Sequence, residues 1–397
     1  MSDTPVVVVQ GARQVGKSTL VREIATERGM ALHSFDDRAP RALAANDPRG
    51  FLEQSPEGVA IDEIQRVPEL LLDLKASVDR DRRPGRFLIC GSANLLRLRN
   101  LHDSLAGRAE TVDLFGFSQR ERERASGRNL VDTLFDAVTV DSTPACSRED
   151  YLERICAGSY PEALERRGSR RDAWFESYVE RIIDRDAPEV AGLQRLRDLP
   201  TLLRFIAANN AVELNVSSLA NDAGFASRTI GPYLDLLETL YLVYRLPAWS
   251  ANIGRRLVRR PRIAIVDSGL ATHLTNSSPA SLSKNPNPVV LGGLVEGFTI
   301  VELRKLASVS DARPKLHYLR EHGGMEVDVL LERRDGGVVA IEIKASSSPR
   351  AQDTRWLAQL RDRLGERFIQ GVVLHLGSDI VAFGDRIRAL PLSAIWT

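Results

Sequence analysis

Four consecutive valines, Val6 to Val9, lead into a polar loop with two glycines. Apolar residues at helical spacing then follow (Leu20, Val21, Ile24, Ala25), so the chain is predicted to begin as strand, loop and helix. The helix should end near Arg28-Gly29, and Met30 to Phe35 reads as a second strand closed by Asp36-Asp37. Short apolar runs return at Val59–Ile61, Phe87–Cys90 and Thr111–Leu114, with a helical pattern from about Glu69 to Asp79 between the first two. Unbroken apolar strands alternating with helices are the mark of a parallel sheet covered on both faces, an α/β core.

From Gln119 to about Leu199 the pattern turns helical and charged, with breaks at Ser142-Thr143-Pro144 and at Gly158 to Pro161. Trp174, Phe175, Tyr178, Val179, Ile182 and Ile183 form a packing stripe there, and Arg181, Arg185 and Asp186 are expected in solvent-facing pairs. Residues 200–247 have another rhythm. A helix over Leu202–Ala208, an extended link over Val212–Val216 and a helix over Ser217–Ala223 come first. A third helix runs from an N-cap at Ser227 to Leu240, and a strand over Tyr241–Leu246 follows. That order is a winged-helix pattern, with Arg228 and Thr229 near the start of its third helix.

Beyond a new start at Arg262–Leu270, Thr275 to Pro288 reads as loop and Leu294–Leu303 as helix. Leu316–Leu319, Glu326–Leu331 and Val338–Lys344 read as strands, the last two joined by a hairpin turn at Asp335-Gly336-Gly337. The domain plan is therefore an α/β core at 1–130, a helical connector at 131–199, a winged-helix-like region at 200–254 and an α/β C-terminal domain at 255–397.

A chain of 397 residues exceeds a single compact core, so several domains are expected. A net charge of +1 neither demands nor excludes a nucleic-acid partner, and local charge has to decide. Cys90, Cys146 and Cys156 are odd in number and lack metal-ligand spacing, which suits a reducing compartment. No stretch approaches eighteen consecutive apolar residues, so a cytoplasmic protein without a membrane partner is expected.

The loop after the valines reads Gly11-Ala12-Arg13-Gln14-Val15-Gly16-Lys17-Ser18-Thr19, a G-x-x-x-x-G-K-S pattern. Its glycines let backbone N–H groups turn inward around phosphate oxygens. Lys17 supplies a point charge to the β- and γ-phosphates, and Ser18 a hydroxyl to Mg²⁺. Thr19 continues a helix whose positive end faces the same anion. This is a Walker A loop, and ATP with Mg²⁺ is the implied ligand. In Val59 to Gln65, Asp62 at a strand end would hold Mg²⁺ through water, and Glu63 would orient or deprotonate the attacking water. Ser92 or Asn94, after the strand ending at Cys90, could sense the γ-phosphate or simply cap a helix from Leu95. Arg108 could stabilise transition-state charge, in its own or a neighbouring subunit, or pair with Glu110.

The succession of Walker A loop, Asp-Glu strand, Gly91-Ser92-Ala93-Asn94, Leu105-Ala106-Gly107-Arg108-Ala109-Glu110 and Leu114-Phe115-Gly116-Phe117-Ser118 resembles the AAA+ ATPases of the AAA_14 type. These commonly carry a C-terminal DUF4143 region, which the stretch from Arg262 onward resembles. Within it, Asp328 on one strand and Glu342-Ile343-Lys344 on the next resemble the PD-(D/E)xK nuclease fold, with Val327 in place of the proline. Asp328 and Glu342, with Glu296 from the preceding helix, would then hold a divalent metal, and Lys344 would position or activate a water against a phosphodiester. A nuclease-like fold kept for structure or DNA holding is the alternative. Arg255-Arg256-Leu257-Val258-Arg259-Arg260-Pro261-Arg262 packs five arginines into eight residues and suits phosphate contact. The whole reads as a Mg²⁺-dependent ATPase coupled to DNA binding and metal-dependent DNA cleavage. The alternatives are a signalling ATPase whose inactive C-terminus binds a partner or DNA, and a DNA-bound regulator whose homo-oligomeric state is set by ATP.

Overall fold

The structure is a computed structural model that describes residues 1–91, 105, 107–190, 193, 196–226, 229–252, 254, 256, 259–284, 286–321 and 323–397. The expectations placed on Ser92, Asn94 and the helix from Leu95 lie outside the described residues, as do those on Ser227, Arg228 and Arg255. The chain forms two compact units. One comprises Met1–Gly116 with Asp186–Gly192 and Thr239–Tyr241, the other Phe117–Arg185, Leu193–Glu238 and Leu242–Thr397.

In the first unit, strands β1 (Val6–Gln10), β2 (Ala31–Ser34), β3 (Val59–Asp62), β4 (Phe87–Gly91) and β5 (Ala109–Asp113) form a parallel sheet in the order β2-β3-β4-β1-β5. The valines of β1 alternate between two cores. Val6 and Val8 pack with Val59, Ile61 and the helix Leu70–Arg80, whereas Val7 and Val9 pack with Val21 and Ala25 of helix α1 (Lys17–Glu27). Burial on both faces explains why β1, β3 and β4 carry no polar alternation. The Asp-Glu strand stops at Asp62, because Glu63 takes a left-handed backbone (φ 57°) and Ile64–Arg66 turn as a 3₁₀ helix.

The second unit holds two sheets. Helices Leu199–Ala208, Val216–Asp222 and Ile230–Thr239 accompany a small antiparallel sheet of β6 (Val212–Glu213), β7 (Val243–Leu246) and β8 (Arg262–Ile265), in the order β6-β8-β7. β8 is thus the central strand of this sheet. A domain boundary at 254/255 is corrected accordingly, since it would cut between β7 and β8, whose ladder pairs Val243 with Ile265 and Leu246 with Arg262.

The larger sheet is made of β9 (Lys315–Arg320), β10 (Glu326–Glu332), β11 (Val338–Lys344), β12 (Phe368–His375), β13 (Val381–Ala382) and β14 (Ile387–Pro391), in the order β13-β14-β12-β11-β10-β9. β9, β10 and β11 are antiparallel neighbours, while β11-β12-β14 run parallel, the first pair bridged by the helix Arg355–Leu364. The helix expected over Leu294–Leu303 runs from Pro288 to Val309 and is buried over most of its length. The loop expected at Thr275 to Pro288 contains a short helix, Pro279–Lys284. The segment after β7 is stitched to β9: Trp249 N donates to Tyr318 O at 2.6 Å, and Tyr318 N to Pro247 O at 3.0 Å. Among the described residues no helix is long and apolar enough to cross a membrane.

Candidate functional site

The loop between β1 and α1 lies at the carboxyl edge of the parallel sheet, where open α/β sheets bind ligands. Gly16 (φ 100°) and Gln14 (φ 61°) take left-handed backbone there. Gly11 is required for a different reason: a Cβ on it would stand 2.1 Å from the carbonyl oxygen of Leu114. The loop therefore sits directly on the chain leaving β5. α1 has no acidic residue in its first turn, leaving its positive end uncompensated for an anion. Lys17 is buried, and its Nζ donates to Gly11 O at 3.0 Å and Ala12 O at 2.6 Å. Burial lowers its pKa to about 8 against the opposing pull of Glu63, Cys90 and Asp62. Ser18 and Thr19 are exposed at the helix start.

Asp62 faces this loop from the end of β3. Its Oδ1 accepts the N–H of Glu63 at 3.0 Å and the Cys90 thiol at 2.8 Å. Burial and the neighbouring Asp62 charge push the Cys90 thiol far up, so it stays a neutral donor that orients the carboxylate. Glu63 is held by Gln65 Nε2. The strained backbone at Glu63 is the kind that persists at functional sites because surrounding structure enforces it.

Two arginines end up elsewhere than expected. Arg13 forms a forked pair with Asp186, Nη2 to Oδ1 at 2.6 Å. Asp186, expected in a solvent-facing pair, is instead 7 % exposed, and a buried carboxylate needs such a partner. Arg108 pairs with Asp79, through Nε at 2.7 Å and Nη2 at 2.9 Å, and not with Glu110. Asp79 lies on the helix Leu70–Arg80, within the same unit, so this guanidinium is engaged away from the loop.

The second constellation is in the C-terminal sheet. The β10–β11 register places Asp328 opposite Glu342, one step along from the pair Val329 and Ile341. Asp328, Glu296 and Glu342 do come together, each raising or answering the charge of the others. They are not alone. Arg262 of β8 enters the cluster, with Nη1 3.1 Å from Asp328 Oδ1 and 3.8 Å from Glu296 Oε2, and Nη2 bonded to Glu326. Its side chain is 5 % exposed. Burial by itself would lower its pKa, but Asp328, Glu296 and Glu326 outweigh that and raise it. Burial, then Asp328, push Glu296 and Glu342 well above the carboxylate range. Asp328 Oδ2 accepts the N–H of Ile343 at 2.9 Å, and Lys344 Nζ donates to Glu342 Oε1 at 2.7 Å. Among the described residues no group of three or more His, Cys, Asp and Glu is arranged to hold a metal ion. Sequence reasoning missed Arg262 because it counted that residue with the arginine run. The signal was its position in the Arg-Ile-Ala-Ile strand, where two-residue alternation sets it on the face of Ala264 and all four residues are buried.

A groove of about 590 Å³ runs beside β6 and β9, lined by Glu213, Arg259, Arg260, Tyr318, Arg320 and Glu321 among others. Glu321 is taken by Arg363, at 2.9 Å from both carboxylate oxygens, so arginine dominates the remaining charge.

The sheet order, the glycine loop on β1 and the acidic end of β3 define an α/β P-loop NTPase. More particularly, the chain has an AAA domain of the AAA_14 type followed by a DUF4143 region. Residues 3–123 match the family described as "AAA domain", and residues 291–395 a "Domain of unknown function (DUF4143)". Residues 148–281 match a further "Domain of unknown function (DUF8612)". An uncharacterized protein of Mycobacterium tuberculosis is 29% identical over 395 residues, covering 99% of this chain and 81% of that protein. One from Haemophilus influenzae is 25% identical over 325 residues, 76% of this chain and 77% of its own. Among solved structures, the Thermotoga maritima RuvB Holliday junction branch migration motor aligns with 61% of this chain and 82% of its own at 17% identity, with a TM-score of 0.29. A STAND signal-transduction ATPase from Pyrococcus horikoshii aligns with 77% of this chain and 48% of its own, at 13% identity and a TM-score of 0.21.

Proposed function

We propose that this protein is a Mg²⁺-dependent ATPase that acts on DNA through its second unit. The observation that carries the ATPase reading is the buried Lys17, held on the carbonyls of its own loop and within electrostatic reach of Asp62 and Glu63. Burial outweighs these neighbours and lowers the pKa of the ammonium, so a polyanionic ligand would stabilise its charged form. The residues present fit Mg²⁺-ATP. The 11–16 loop N–H groups and Lys17 would hold the phosphates, and Ser18 and Asp62 the metal ion, which neutralises charge on the transferred phosphoryl group. Glu63, fixed by Gln65, would orient the attacking water and take its proton. Lys17→Ala should abolish nucleotide binding or turnover. Glu63→Gln should retain binding and slow hydrolysis by about 100-fold or more. Turnover by either variant at the parent's rate would remove this assignment.

DNA association is supported by the helix-strand-helix-helix-strand-strand order of residues 199–265, which is that of a winged helix, and by the arginine groove beside it. Its test is the ATPase rate with and without DNA, together with direct DNA binding. Cleavage of the DNA by the C-terminal sheet is the finer alternative, resting on the proximity of Glu296, Asp328, Glu342 and Lys344. The presence of Arg262 among them speaks for the non-cleaving form of this protein.

A further inference from the structure

We propose that Arg262 is the resident cation of the C-terminal acidic cluster. It takes the charge position that a divalent metal would otherwise occupy between Glu296, Asp328 and Glu342, and so keeps a latent metal site closed. This goes beyond the ATPase and DNA reading and does not depend on either.

Three observations carry it. First, three of the oxygens a metal would need are already engaged. Asp328 gives one oxygen to Arg262 and the other to the N–H of Ile343, and Glu342 gives Oε1 to Lys344. A divalent ion needs these oxygens at about 2.0–2.6 Å, and cannot have them while the guanidinium is bonded there. Second, Arg262 is anchored at both ends. Its backbone lies in the central strand β8, paired with Glu213 on one side and Leu246 on the other. Its guanidinium lies over the ring of Tyr318 at 5.0 Å, a residue itself tied to the segment after β7. Third, the satisfaction of the cluster is incomplete. Among the described residues, Glu342 Oε2 is buried without a hydrogen-bond partner, so the cluster keeps an oxygen that neither Arg262 nor Lys344 takes up. The cluster retains acidic capacity that becomes usable only if Arg262 withdraws.

The test is Mn²⁺ binding to the chelator-treated full chain without nucleotide, by calorimetry and thermal melting. The quantity read is the component that Asp328→Asn removes, which separates this cluster from any weak binding at Ser18 and Asp62. The parent should show no such component up to about 1 mM Mn²⁺, whereas Arg262→Gln should gain roughly one Mn²⁺ per chain that Asp328→Asn abolishes. Arg262→Met, which keeps an apolar stem against Tyr318, serves if the glutamine variant does not fold. Asp328-dependent binding in the parent overturns the proposal, and so does a folded Arg262 variant that gains none. If neither variant folds, the parent decides: an Asp328-dependent rise in melting temperature with Mn²⁺ overturns it, and no rise supports it.

Discussion

Arg13 and His317 show how single side chains could set the behaviour of each unit. Arg13 lies in the phosphate loop but is held by Asp186. Asp186→Asn removes the competing charge and leaves the guanidinium more available to an anion. With Asp186 buried and Arg13 partly so, the pair is stronger than a surface pair of about 1 kcal/mol, so ATP should bind at least about fivefold more tightly, by titration with a fluorescent analogue. An unchanged or weaker affinity would mean that the pair only braces the loop. His317, on β9, is buried, and among the described residues neither of its ring nitrogens has a hydrogen-bond partner, although Glu332 Oε2 is 3.8 Å away. Burial, then the Arg256 charge, lower its pKa to about 4. A histidine depressed below its unfolded value of about 6.5 favours the folded state when neutral. Its contribution is therefore complete above pH 6.5 and is lost as pH falls from there toward 4, by up to about 3 kcal/mol. Denaturant midpoints between pH 7.5 and 4.5 should fall less steeply in His317→Gln than in the parent.

At the scale of elements, close approaches between neighbours limit what can change. Gly11→Ala would drive a methyl into the carbonyl of Leu114. The loop must then move off β5, at about 1–3 kcal/mol of stability, with loss of nucleotide binding. Retention of both melting temperature and ATP affinity would show that the loop tolerates displacement. Asn210 plays a comparable part in the second unit. Its Oδ1 accepts the N–H of Ile265 at 2.9 Å and its Nδ2 donates to Gly293 O at 2.9 Å, tying β8 to the long helix 288–309. Gly297 makes room for it, since a Cβ there would meet Nδ2 at 2.2 Å. Asn210→Ala should cost about 1–3 kcal/mol in chemical denaturation by leaving the buried N–H of Ile265 unpaired. Asp267 makes a similar tie, accepting the N–H and hydroxyl of Ser159 at 2.7 Å and capping the helix Ser268–Leu274.

At the scale of the whole molecule, the segment after β7 is stitched to the edge of the larger sheet, and Arg259 and Arg260 beyond it form part of the wall of a groove. If DNA phosphates lie in it, Arg259→Ala with Arg260→Ala should weaken binding to unrelated duplex sequences alike. The double variant should reduce the slope of log affinity against log salt by about 2, because each neutralised phosphate accounts for about 0.9 of that slope. An unaltered slope would place any DNA-binding surface elsewhere. The family boundaries agree with this grouping of elements, since one matched region, 148–281, runs from the connector through β8 and past it.

The α/β core could be read from sequence because its signals are local. Four valines, a spaced Gly-Gly-Lys-Ser and an apolar run ending in Asp62-Glu63 each specify a conformation within a few residues. The hairpin at Asp335-Gly336-Gly337 and the placement of Asp328 opposite Glu342 follow equally from turn chemistry and the two-residue period of a strand. What sequence could not supply is the partner of each charge. Asp186 meets Arg13 across 173 positions, Asp79 meets Arg108 across 29, and Arg262 meets Asp328 across 66. Charge attraction has no sequence period and is settled by whichever chains packing brings together. For that reason the pairing of β8 with β6 and β7, decided only in three dimensions, is what brings Arg262 among the C-terminal carboxylates that the sequence offered as metal ligands.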